Sequence, residues 1–175
     1  LSMPAGAQEP AADPEPEAAK AVLKQYLDLL VKSAEGKKPK PAEVAKKLQA
    51  TRKFVHPKTL ELIAAQEKNK LVTIALAVWH HAKEDFWLKE YELGEVRKAA
   101  LGTVVVEVRE RNWRVAEGGE DGEGEPTSYL LGKVSGKWVL VDKRRNETFA
   151  DSAIKAGYKG YFEEPAKAPA PTPAP

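Results

Sequence analysis

The run Trp79-His80-His81-Ala82-Lys83-Glu84-Asp85 has the spacing richest in possible chemistry. On a continuing helix His81 and Asp85 share a face, as do His80 and Glu84, because residues four apart are neighbours. A carboxylate beside an imidazole fixes its tautomer and stabilises the imidazolium, as a general base requires. His81 and Asp85 are therefore the candidate catalytic base and its orienting acid. The plainer alternative is a helix C-terminus ending in water, where the dipole favours His. No metal or cofactor is expected. His80 and His81 are splayed by about 100° around a helix axis, His56 is distant in sequence, and the chain has no cysteine.

A second proton chemistry would need a carboxylate and an acid donor on inward strand positions. Asp142, Tyr129 and Tyr91 are the nominees, although Asp142 stands beside Lys143-Arg144-Arg145, which predicts a surface ion pair. Trp79, Phe86, Trp87, Tyr91, Tyr129 and Trp138 are the candidate lining of an apolar pocket; aromatic residues at such spacings also serve as ordinary core.

The elements that must position these residues fall into two halves. From Ala18, the positions Ala19, Val22, Leu23, Tyr26, Leu27, Leu30 and Val31 have the period of a helix with one buried stripe. Gly36 and the prolines at 39 and 41 end it. A short helix is expected over Ala42–Ala50, another after Pro57, and a further one over Leu71–Lys83. The second half is strand-like. Phe86–Leu93 is rich in aromatic residues, and Val104, Val106 and Val108 alternate with Val105, Glu107 and Arg109. The stretch Glu117–Pro126, full of glycine and acid, is a hairpin connection. Tyr129–Val134 and Lys137–Lys143 flank a tight turn at Ser135-Gly136, with Trp138, Leu140 and Asp142 expected on one face and Val139 and Val141 on the other. Ala150–Tyr158 is expected as a short helix or an irregular cover.

Composition narrows the partners. The chain of 175 residues divides into a Pro/Ala-rich leader over 1–17, a single α+β domain over 18–162 and a Pro/Ala-rich tail over 163–175, both ends too poor in apolar residues to fold. Its net charge of +2 does not by itself argue for nucleic acid. Lys32–Lys70 holds eleven Lys or Arg against four Glu, but Phe54 alone among the aromatic Phe, Tyr and Trp residues lies among the lysines, whereas single-strand binders interleave several. A surface for an anionic polymer is one reading of that stretch; the solvated face of amphipathic helices is the other. No run of about eighteen apolar residues is present, so no membrane-spanning helix is expected. Leu1–Gln8 resembles the tail of a secretory signal, with Ala5-Gly6-Ala7 as a small-x-small cleavage site, and this predicts export to the periplasm or medium.

Helices followed by the strands Thr103-Val104-Val105-Val106-Glu107-Val108, Tyr129-Leu130-Leu131 and Gly136-Lys137-Trp138-Val139-Leu140-Val141-Asp142 make the stretch 18–145 similar to the nuclear transport factor 2-like superfamily. The resemblance implies a cone: N-terminal helices packed on a curved antiparallel sheet of about four strands, with a pocket open at one end. It also implies dimers through the sheet face. The superfamily includes ketosteroid isomerase-like, dehydratase-like and hydrolase-like enzymes alongside non-catalytic binding domains, so the fold alone carries no activity. Dehydratase members use a His–Asp pair, but no motif of theirs aligns onto His81 and Asp85. The sequence favours a non-catalytic domain that binds a small apolar ligand or a protein partner, with a small lyase or isomerase as the alternative.

Overall fold

In the computed structural model, the described residues are 14–35, 43, 46, 47, 49–69, 87–114, 119, 120 and 124–162. Helix α1 spans Pro14–Ser33, beginning four residues before Ala18. A proline in the first turn costs nothing there, because its missing N–H would have no intrahelical partner. Glu15 and Glu17 at the start and Lys32 at the end complement the helix dipole. The Lys24 ammonium reaches the Asp28 carboxylate at 2.7 Å one turn on. The stripe Ala19, Leu23, Tyr26, Leu27 and Leu30 is buried. Removing each leucine from water contributes about 2 kcal/mol.

Glu43, Lys46 and Lys47 are helical, and a 3-10 turn over Gln49–Phe54 follows. Val55 then bridges Leu140 in parallel, and the His56 amide donates to the Leu140 carbonyl at 2.7 Å. This pins the chain to a strand edge before helix α2, Pro57–Asn69. The helix expected over Leu71–Lys83 lies outside the described residues.

The second half is an open antiparallel sheet, so the fold is α+β. Strands β1 (Trp87–Lys98), β2 (Val104–Arg114), β4 (Glu125–Val134) and β5 (Lys137–Arg145) are neighbours in that order, and the two-residue β3 (Gly119–Glu120) pairs with the end of β2. Ser135 and Gly136 have φ of 49° and 75°. Two successive left-handed residues form the turn whose twist matches a two-residue hairpin.

The sheet is covered on both sides. Val104, Val106, Val108, Tyr129, Leu131 and Leu140 form the inner face, packed against α1. Val105, Leu130 and Val141 form the outer face, where Phe149 and Ile154 of the C-terminal segment meet them. Ile154 belongs to helix α3, Asp151–Gly157, so the helix expected near Ala150–Tyr158 is present and lies opposite the others. Beyond it Phe162 crosses β4 at Gly132, where a Cβ would stand 2.3 Å from the ring.

The expected alternation on β5 needs one correction. Leu131 pairs with Leu140 but Leu130 pairs with Asp142, so Val141 is an extra residue. A bulge of one residue reverses the face of everything beyond it. Asp142 therefore turns outward, where it accepts from the Tyr158 hydroxyl and forms the expected ion pair with Arg144 at 3.7 Å, although its side chain is only 15% exposed. Lys143 turns inward.

Candidate functional site: a polar floor on the inner sheet face

Strand alternation carries the inner row Val104-Val106-Val108 onward to Glu110 and Asn112. Both are buried, at 1% and 0% exposure. Glu110 lies opposite Tyr91 on β1, and Asn112 opposite Leu88. From β4, the Tyr129 hydroxyl donates to Glu110 Oε1. From β5, Lys143 Nζ stands 3.0 Å from Glu110 Oε2, with neither side chain exposed. The same ammonium lies 5.2 Å from the centre of the Tyr129 ring. From α1, Tyr26 packs edge-on against Tyr129 at 6.4 Å. Four elements thus enclose one carboxylate, one ammonium and two phenols.

The electrostatics keep both phenols protonated. Burial pushes the Tyr129 hydroxyl well above its ordinary range; the Glu110 charge and hydrogen bond add to this, and Arg145 opposes it. Burial raises Tyr26 as well, with Glu110 adding to it. Phenols so held are donors, not bases. The carboxylate accepts from Tyr129 on one oxygen and faces the ammonium with the other. Replacing a buried ion pair by apolar side chains is often neutral or stabilising, so stability alone does not account for this one.

Among the described residues, two polar side chains on the same face have no hydrogen-bond partner. Asn112 lacks one at both Oδ1 and Nδ2, and Thr127, 1% exposed, lacks one at Oγ1. Buried polar groups are nearly always satisfied, and an unsatisfied one costs about 1–3 kcal/mol. Thr127 lies opposite Val108, four residues along β2 from Asn112, or about 13 Å at the rise of a strand.

Of the residues nominated from the sequence, Tyr129 sits at the centre of the cluster, as a donor rather than an apolar wall. Tyr91 is half-buried and directs its hydroxyl to Asp28 on α1. Burial and the Asp28 contact raise its pKa, and hydrogen bonds from Lys24 and Tyr91 lower that of Asp28. Trp87 is buried, its indole N–H without an acceptor. Trp138 lies towards the opposite end of the sheet, beneath the Lys133 ammonium at 5.1 Å. Trp79, His81, Asp85 and Phe86 lie outside the described residues. Glu110, Asn112 and Lys143 escaped the sequence reading. Parity with the valines marks the first two, whereas only the bulge brings Lys143 inside.

Among the described residues no three His, Asp or Glu side chains converge as metal ligands, and no helix is long and apolar enough to cross a membrane. Lys32, Lys46 and Lys47 border an open groove of about 700 Å³, but Glu35 and Glu43 interleave with them. That mixture of signs weakens the case for an anionic polymer.

Fold and site together define an α+β domain whose helix and sheet enclose a paired charge beside an unsatisfied amide. Set against family models, curated proteins and solved structures, the chain matches none.

Proposed function

We propose that this protein is a non-catalytic ligand-binding domain, and that a small molecule with an apolar body docks at the inner sheet face near the end of β2. The observation that carries this reading is Asn112, fully buried with both ends of its amide unpartnered. A folded chain retains such a cost where a ligand repays it. The Glu110–Lys143 pair supports binding over catalysis. A general base needs a lone pair open to substrate, but Glu110 already meets Tyr129 and Lys143.

What supports the nuclear transport factor 2-like reading is α1 packed on the inner face of an antiparallel sheet, with only the short α3 on the other face, and the leader-like start supports action in the periplasm or medium. A dimer through the outer face would have to use the part that α3 leaves open. There Glu90 and Arg111 pair at 2.6 Å, so such a contact would be polar.

A fragment screen followed by amide NMR tests the proposal. Fragments that bind are expected to shift the side-chain amide of Asn112 together with the backbone of Leu88 and Tyr91. Fragments that bind only elsewhere, with the Asn112 amide unmoved, would remove the site.

A further inference from the structure

We infer that the group recognised at Asn112 is an uncharged edge carrying a donor and an acceptor side by side, as in a carboxamide or a lactam. This rests on the ligand-binding reading above and specifies its chemistry. An Asn side chain offers one carbonyl oxygen and one NH₂, and their natural complement is another amide edge, which satisfies both in a planar pair. Asn112 has both atoms free and no exposure, so a head group meeting only one would leave the other unsatisfied.

Donor and acceptor polarity disfavours the charged alternatives. On this face Glu110 and Lys143 already neutralise each other at 3.0 Å. Tyr129 occupies the second carboxylate oxygen. Arg145 is half-buried and so retains access to water. A carboxylate has only acceptors and an ammonium only donors, so either would lose its hydration and still leave one end of the Asn112 amide unsatisfied. A neutral amide incurs no such cost. Thr127, about 13 Å away along the strands, could serve only a ligand long enough to span that interval.

Three probes of one shape separate these chemistries at neutral pH: benzamide, benzoate and benzylammonium. Benzamide is expected to bind and to shift the Asn112 side-chain resonances, while the two ions leave them unmoved. Asn112→Leu, of nearly the same volume, is expected to weaken benzamide by about tenfold or more, the loss of two buried hydrogen bonds. Without ligand the same variant should melt about 5 °C higher, because it removes an unsatisfied polar group. Shifts with benzoate or benzylammonium in place of benzamide would keep the site and overturn its assigned chemistry. No shift with any probe, together with a lower melting temperature for Asn112→Leu, would overturn both the chemistry and the site.

Discussion

Glu110 and Lys143 are more sensitive to the loss of a partner than to the loss of both. Each is fully buried, so removing one leaves an uncompensated charge where water cannot follow. Glu110→Gln and Lys143→Met are each expected to lower stability by about 3 kcal/mol, and the double variant by much less than their sum. Urea denaturation of the four proteins closes that cycle; strictly additive losses would show that the two groups do not interact. Glu110 and Asn112 were legible in principle, because the valine alternation continues through them onto the apolar face. Their polar character matches that of the other face of β2, which turns charged at Glu107 and Arg109. Lys143 was not legible, since a single extra residue at Val141 reverses the parity on which any count from Trp138 relies.

At the scale of elements, the two-residue turn and the glycine beneath the C-terminal segment have separate physical roles. Ser135 holds φ of 49°, a conformation that asparagine adopts at lower cost. Because it is exposed, Ser135→Asn is expected to stabilise the hairpin by about 0.5 kcal/mol, read as a raised urea midpoint with unchanged slope. Gly132 acts differently, providing the space that Phe162 fills. Gly132→Ala should displace that ring, lower stability by about 1–2 kcal/mol and raise amide exchange over Tyr158–Phe162 more than in β4. Equal increases in both would mean that the segment and the strand open together. The turn at Ser135-Gly136, the valine strand and the α1 stripe could all be read from local pattern. The docking of α3 on the outer face could not, because it depends on a vacancy at Gly132 and on Asp142 pointing outward. Both are settled only once β4 and β5 pair.

Across the whole molecule, His56 joins parts far apart in sequence and makes the join sensitive to pH. It caps α2, with Nδ1 accepting the Lys58 amide at 3.0 Å. That bond places the ring proton on Nε2, which donates to the Tyr161 carbonyl at 3.1 Å. Lys58 Nζ reaches the neighbouring Gly160 carbonyl at 2.6 Å, so both contacts hold the segment that covers the outer face. A second proton on His56 would set two donors against each other at Nδ1. Burial depresses the His56 pKa and the Lys58 charge adds to this, against the Tyr161 bond and Glu61. With the folded pKa below the free value of about 6.5, the neutral ring's contribution to stability is complete above that pH. It is lost progressively as pH falls below 6.5 towards the folded pKa, well before the Asp28 carboxylate titrates. His56→Asn keeps a capping oxygen that does not titrate, at the expense of the Tyr161 contact. It should therefore be less stable than the parent at pH 8, yet the gap should narrow between pH 7 and pH 5 as the parent alone loses its cap. Urea midpoints across that range, compared between the two proteins, cancel the shared contributions of the other two histidines. A gap that stays constant or widens towards pH 5 would show that His56 does not couple the C-terminal cover to protonation.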